Sequence, residues 1–199
     1  MKKIITSCLL GASLLFGANA ASAQHFNFGV KAGGNYGFGN MKYTSLGYTG
    51  KMNHSGIGLY IGAFTEISGD SKLRGQIELL YDYNTLKFNN ESFRLGALRV
   101  PILAKYAITP KLNVSIGPSL GFNLTRKSIY KHSNVIIDRK DEIKSFQFGA
   151  LVGVSYSITE SLGVDLRYNQ YFSNLYIGEG IHDEKFKYNV LQLGLSFKF

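Results

Sequence analysis

Charged residues in this sequence recur at alternate positions within stretches whose other positions are apolar. Glu78 and Asp82, for example, alternate with Leu79 and Tyr81. Successive side chains of a β-strand point to opposite faces, so these carboxylates would share one face of a sheet. The charges that follow this pattern are Lys31, Glu66, Arg74, Glu78, Asp82, Arg99, Lys105, Asp165, Arg167 and Lys198. Charges of both signs on one buried face must pair, or they line a path for ions.

The histidines are the residues best suited to ligate a metal or to act as a catalytic base. His54, His132 and His182 fall in long predicted connections, and none has a second histidine at a close ligand spacing such as H-x₃-H. Ser55 follows His54, but a nucleophile also needs a positioned base and an orienting group. We therefore expect solvated loop residues, with no metal, cofactor or catalytic activity.

A third set of charges lies in the stretch "RKSIYKHSNVIIDRKDE", residues 126–142. Its basic residues are candidate contacts for lipopolysaccharide phosphates, which cationic side chains bind through charge-assisted hydrogen bonds. They are Arg126, Lys127, Lys131, Arg139 and Lys140. The alternative is an ordinary solvated loop. The stretch is also a candidate for a hairpin that extends the flanking strands.

The elements that would position these residues are eight segments with strict apolar and polar alternation, which predicts strands. Between the first and last apolar residue of each segment, the apolar parity carries no charge. The segments cover about 25–36, 56–67, 73–85, 94–108, 112–125, 144–158 and 162–172, and the closing stretch 191–199.

The connections between the segments alternate in length. Residues 68–71, 109–111 and 159–161 are tight turns rich in turn-forming residues. The others, about 37–55, 86–93, 126–143 and 173–187, are long. Short connections at one end and long ones at the other are typical of an outer-membrane barrel, with short periplasmic turns and longer external loops.

The amino terminus has the pattern of a cleaved secretory signal. Lys2 and Lys3 precede a short apolar run, and Ala21-Ser22-Ala23 is a small-residue cleavage site. We predict a signal peptide over residues 1–23 and a barrel domain over 24–199. The only cysteine, Cys8, would leave with the signal, so no disulfide framework is expected. Loss of Lys2 and Lys3 with the signal would lower the formal charge from +9 to +7. A secreted protein has little access to nucleic acid, so this charge is better directed at a lipid surface or at the protein's own acidic groups.

Volume decides which face of the predicted barrel points outward. The apolar face carries about five bulky side chains per strand, whereas an eight-stranded interior is only just wide enough for side chains. The polar face is mostly glycine, serine and asparagine with a few charges, which a narrow interior can hold. We therefore predict an all-β, eight-stranded antiparallel up-and-down transmembrane β-barrel. Aromatic residues should form a row at each membrane interface: Tyr83, Phe93, Phe146 and Phe172 at one end, and Phe26, Tyr106, Tyr156 and Phe199 at the other.

The chain ends in "LQLGLSFKF", an apolar alternation that stops on phenylalanine. Such an ending resembles the signal that outer-membrane barrels present to the barrel assembly machinery. Phe197 and Phe199 are the candidate recognition residues. The last strand must also pair with the first to close the barrel, so no polar tail is required.

Several stretches together resemble the small outer-membrane β-barrel proteins typical of Bacteroidetes, often described as porin-family or PorT-like. They are "FGVKAGGNYG", "LRVPILAKYAI", "VSIGPSLGFNL", "VDLRYNQYFSNL" and "LGLSFKF". The resemblance implies an outer-membrane location in a Gram-negative envelope and no particular substrate. Arg99 departs from the acidic residue expected there in many members.

The predicted third and fourth strands pair as a hairpin, which fixes a register for their charges. Centring the hairpin near residues 89–90 places Arg99 opposite residue 80 and Lys105 opposite residue 74. We expect Glu78 and Asp82 to hold Arg99, and Lys105 to lean toward Glu78 or Glu66. The interior charges are interpreted as a structural salt-bridge network; a gated ion or proton path is the alternative.

These features favour a monomeric, non-enzymatic outer-membrane protein that acts through external loops in adhesion, surface interaction or structural support. The alternative is porin-like transport of small or hydrophobic solutes through a narrow barrel.

Overall fold

The computed structural model describes residues 25–45, 48–87, 91–130, 136–138, 140–175 and 185–199, so the expected signal peptide lies outside the described residues. The strands are β1 (His25–Ser45), β2 (Tyr48–Ser68), β3 (Leu73–Lys87), β4 (Glu91–Ala107), β5 (Leu112–Tyr130), β6 (Ile136–Asp138), β7 (Phe146–Ser157), β8 (Leu162–Tyr171) and β9 (Lys185–Lys198). A 3₁₀ turn spans Lys140–Glu142. No helix in this part of the chain is long and apolar enough to cross a membrane.

Eight of the strands close into a barrel. Each of β1–β5 and β7–β9 pairs antiparallel with its neighbour, and β1 pairs with β9 from Gly29 opposite Lys198 to Lys42 opposite Lys185. Among the described residues, β6 pairs with β5 alone, close to the end of β5 at Tyr130. Closure gives every barrel strand two neighbours, so backbone groups are satisfied without an open edge. The predicted eight-stranded antiparallel barrel is confirmed.

The tight turns expected at 68–71, 109–111 and 159–161 lie together at one end of the barrel. Thr109 and Thr159 each accept a hydrogen bond at Oγ1 from a leucine amide three residues on, at 2.9 Å, which fixes two of the tight turns. Phe199 lies at the same end, where its amide donates to the carbonyl of Phe28 at 2.9 Å. We refer to this end as the short-turn end and to the opposite one as the long-loop end.

Strands at the long-loop end are longer than the alternation indicates. Residues 37–55 were expected to be a loop, but β1 and β2 continue as a hairpin to the pair Ser45 and Tyr48. β5 likewise runs on to Tyr130 and pairs with β6, so part of the expected loop at 126–143 is a hairpin. Alternation of apolar and polar residues indicates a strand with one apolar face. Hydrogen bonding between paired strands can continue beyond the residues where this alternation ends. His54 is therefore a strand residue and not a loop residue.

Outward and inward faces follow the predicted assignment. Apolar residues of one parity are exposed on the outer wall, with Leu59 70% and Leu193 60% accessible. Residues of the other parity are buried inside, including Gln76, Glu78 and Arg99 at 1% each. Of the eight predicted interfacial aromatics, all but Phe93 have exposed side chains. Phe93 was misplaced: it shares the inward parity of Arg99 and packs against buried residues inside the barrel.

A β-bulge interrupts the alternation between β4 and β5. Gly96 pairs with Thr125 but Ala97 pairs with Asn123, so Leu124 is an extra residue on β5. An extra residue exchanges the faces of everything beyond it on that strand. Beyond this bulge Arg126 is buried inside and Lys127 is exposed outside.

Candidate functional site: the barrel lumen

Four buried charges meet near the middle of the lumen and form what we call the central cluster: Lys31, Glu78, Asp165 and Arg167. Glu78 accepts hydrogen bonds from Lys31 Nζ at 2.8 Å and from Arg167 Nη1 at 2.5 Å. Asp165 lies 2.9 Å from Arg167 Nε and 3.7 Å from Lys31 Nζ. The two cations therefore balance the two carboxylates.

The central cluster joins strands that are not neighbours in the wall. Lys31 belongs to β1, Glu78 to β3, and Asp165 and Arg167 to β8. None of the four side chains is more than 7% exposed. Removing ions from water carries a large cost that close ion pairing offsets, so the cluster fixes opposite walls of the barrel in one arrangement.

A second group of charges surrounds Glu66 nearer the short-turn end. Lys105 Nζ lies 2.5 Å and Arg74 Nη1 3.4 Å from its carboxylate. Arg74 is directly opposite Lys105 in the β3–β4 register, as the sequence predicts. Two like charges can occupy opposed positions here because both turn toward Glu66. Lys105 thus takes the second of its two expected partners.

Arg99 forms a third group nearer the long-loop end. It lies opposite Leu80, the predicted register, and its Nε is 3.7 Å from Asp82. Its Nη1 donates to Gln147 at 3.0 Å, and its guanidinium lies 4.5 Å from the ring centre of Tyr171.

The expected pairing of Arg99 with Glu78 is wrong. Both oxygens of Glu78 are engaged by Lys31 and Arg167, as described above, and the ion pair found for Arg99 is with Asp82. Register places neighbouring strands correctly, but Arg167 reaches Glu78 across the lumen from β8. The register of a single hairpin cannot predict contacts of this kind across the lumen.

Two aromatic side chains of β2, Tyr60 and Phe64, fill lumen space between the charges. They occupy the polar parity of their strand and are 2% and 7% exposed. Glycines of β1 and β9 leave room for Tyr60: a Cβ at Gly33 would lie 2.7 Å from its Cε1, and one at Gly194 2.8 Å from its Cζ. Neither residue was predicted from the sequence. The sequence feature that could have identified them is an aromatic residue among glycines, on a strand face whose other residues are small or polar.

The long-loop end of the lumen is closed by an apolar cap. It comprises Leu86, Leu95, Ile143, Tyr171, Leu175, Tyr188 and Val190, with Phe93 packed against it. Ile143 and Leu175 come from connecting segments that fold inward. Asn123 Nδ2 donates to the carbonyl of Lys144 at 2.8 Å, and the Lys144 amide donates to the carbonyl of Leu175 at 2.8 Å. These bonds hold the two segments in the mouth of the barrel.

The short-turn end remains open as a small polar cavity of about 70 Å³. Arg74, Lys105 and Lys198 line it together with Asn113 and Ser115. Its inner boundary includes Lys31, Asp165 and Arg167, so the central cluster forms the floor of the cavity.

Other candidate residues are dispersed. His54 is buried, whereas Ser55, next to it on the strand, is exposed on the opposite face, so the two do not form a nucleophile and base. His132 and His182 lie outside the described residues, as do Lys131 and Arg139. Among the described residues, no group of three His, Cys, Asp or Glu side chains is placed to hold a metal ion.

Of the candidate lipopolysaccharide contacts, Lys127 and Lys140 are exposed. Arg126 is not available for that role, because the bulge turns it inward, where its guanidinium lies 4.8 Å from the ring centre of Phe93. At the carboxyl terminus Phe197 and Phe199 are exposed on the outer wall, with ring centres 5.7 Å apart.

Comparisons with known proteins agree with this architecture. Neisserial surface protein A is similar in structure, with a TM-score of 0.54 at 19% identity over 86% of this chain and 97% of that one. OprG from Pseudomonas aeruginosa gives 0.46 at 10% identity over 89% and 98%. Ail, the attachment invasion locus protein of Yersinia pestis, gives 0.43 at 12% identity over 85% and 98%. No curated protein sequence matches.

At 19% identity the similarity to Neisserial surface protein A shows the fold alone. A family model described as outer membrane protein beta-barrel domain matches residues 19–176, which is most of the chain. A closed barrel with an apolar outer wall and a polar interior is typical of such a domain. The chain belongs to the outer membrane protein β-barrel domain family.

Proposed function

We propose that this protein is a non-enzymatic barrel with a closed lumen that acts in the cell envelope through its long-loop end. The observation that carries the proposal is the filled interior. The central cluster and the apolar cap close the lumen in series, and each is made of buried side chains. A barrel without an open pore has its surface for interaction at the wall and the loops.

The length of the strands supports a role outside the membrane. β1 and β2 each contain 21 residues, whereas a strand needs about 9–11 residues to cross a bilayer. The register of their hairpin is unbroken as far as the pair Ser45 and Tyr48. The surplus extends the paired wall beyond the membrane, which suits adhesion, surface interaction or structural support.

The orientation belongs to the same proposal. Short turns face the periplasm in outer-membrane barrels, which would put both termini there and the long loops outside. Phe197 and Phe199 then lie where the barrel assembly machinery acts. We also infer cleavage of residues 1–23, a monomeric state, and membership of the narrower group of small Bacteroidetes barrels described as PorT-like.

Transport is the second candidate, favoured by one observation. The polar cavity at the short-turn end admits small solutes as far as the central cluster. Passage further would require the ion pairs around Glu78 and then the apolar cap to separate.

Electrical conductance of the refolded protein in planar bilayers separates the two functions. A closed lumen predicts no steady current at moderate voltage, with a wide-pore porin as positive control. Stable, reproducible channels from the wild-type chain would contradict the proposal and favour transport.

A further inference from the structure

Two cations are held side by side on the outer wall near the long-loop end. Arg94 of β4 is directly opposite Lys127 of β5, and both side chains are exposed. The extra residue Leu124 produces this arrangement, because it turns Lys127 outward. We refer to Arg94 and Lys127 as the cation pair.

Such a pair is unfavourable alone, since like charges directly opposite in a sheet repel. Its neighbours offset the repulsion only in part. Thr85 of β3 lies beside Arg94, and Asp138 of β6 lies beside Lys127. Asp138 also accepts the amide of Lys140 at Oδ1, at 3.0 Å. Within the described residues, neither member of the cation pair forms an ion pair. These four neighbouring residues therefore carry an excess of positive charge.

The wall below the cation pair is apolar. Leu98 lies four residues from Arg94 along β4, or about 13 Å at the rise of a strand. Beside it in the wall are Phe122 of β5 and Phe146 of β7, whose ring centres are 5.5 Å apart. An amphiphile with acyl chains against these rings would place its headgroup at the level of the cations.

We propose that the cation pair binds a phosphate group on the headgroup of an outer-leaflet lipid. Arginine can present two parallel donors to a phosphate and lysine a point charge, so one phosphate between them replaces repulsion with two charge-assisted contacts. A phosphorylated glycolipid such as lipopolysaccharide has the required chemistry. The proposal rests on the orientation given above, which places this end outside, and it assigns a contact to Arg94 that the sequence analysis did not consider.

The test compares lipids that differ only in phosphate. The protein is refolded into phosphatidylcholine vesicles containing either diphosphoryl lipid A or its dephosphorylated form, and lipid retained after detergent exchange is measured. Both leaflets have the same composition, so the result does not depend on orientation. The wild type should retain the phosphorylated form selectively.

Arg94→Gln and Lys127→Gln should each lower retention roughly tenfold, as expected for one charge-assisted hydrogen bond. Lys111→Gln is the matched control, because Lys111 is an exposed lysine in a tight turn at the opposite end. Both substituted side chains of the pair are exposed, so the variants should fold.

Three outcomes would overturn the proposal. They are equal retention of the two lipid forms, equal loss in the Lys111→Gln control, or displacement of the lipid by inorganic phosphate at equal concentration. The last would identify a site for free phosphate. If one of these outcomes were found and the wild-type protein still carried no current, the lipid site would be rejected and the proposed closed barrel would stand.

Discussion

Glu78 is the residue whose charge the barrel interior depends on most. It is 1% exposed and accepts hydrogen bonds from Lys31, Arg167 and the side-chain Nε2 of Gln76. Glu78→Gln keeps the volume and removes the charge. Two buried cations are then left with Asp165, which already contacts both. Removing one partner from a buried ion pair costs about 3–5 kcal/mol, and we expect a loss of unfolding free energy in that range.

A second substitution should recover part of the loss. Lys31→Gln combined with Glu78→Gln leaves Arg167 and Asp165 as a balanced pair, so the double variant should be more stable than the sum of the two single effects predicts. We expect a coupling of about 1–3 kcal/mol. Glu78→Gln with Arg99→Gln is the control cycle, because Arg99 pairs with Asp82. Its coupling should be smaller.

Urea unfolding in phospholipid vesicles, followed by circular dichroism, measures these energies. The chain has no tryptophan, so intrinsic fluorescence would report only tyrosine. Strictly additive effects of the Lys31 and Glu78 substitutions would refute the cluster. A coupling of Glu78 to Arg99 as large as that to Lys31 would restore the partner assignment made from the sequence.

Three further predictions concern the wall, its closure and its assembly. Leu79→Arg places a charge on the outer wall and should cost about 2–4 kcal/mol in vesicle unfolding if the residue is mid-membrane; wild-type stability would mean that this face does not meet lipid. Gly33→Ala should destabilise the barrel in the same assay, since the new Cβ would meet Tyr60 and the β9 backbone; Gly34→Ala should not, because the nearest atom to its Cβ is 3.9 Å away, and equal effects would contradict the packing. Deleting Phe199 should leave secretion intact but reduce the folded fraction in membranes, and normal insertion of the truncated chain would remove its role as an assembly signal.

Much of the barrel could be predicted because one physical contrast is repeated in every strand. Lipid outside and a narrow interior impose alternation, and bulky residues such as Leu59 and Leu193 cannot fit inside. The same contrast identified Glu78, Asp165 and Arg167 as interior residues. The register of Arg99 followed from the length of a single hairpin.

What could not be predicted depends on contacts that alternation does not encode. The bulge at Leu124 changes the face of Arg126 without an obvious sequence signal. Arg167 finds Glu78 across the lumen, a pairing set by side-chain length and barrel closure. Tyr60 was overlooked because its fit depends on glycines in two other strands. At the long-loop end the ladder of β1 and β2 continues where the alternation is lost.

Serine-to-cysteine substitution can show whether the lumen is filled beyond the polar cavity at the short-turn end. Ser115 lines the cavity, whereas Ser119, four residues further along β5, is 0% exposed and accepts a hydrogen bond from Asn169 at 2.9 Å. The only native cysteine is Cys8, so each variant carries one thiol within residues 25–199. With a small, charged thiol reagent on refolded protein, Ser115→Cys should react readily and Ser119→Cys should remain unreactive until the protein unfolds. Equal rates at the two positions would mean a continuous aqueous channel and would contradict the closed barrel.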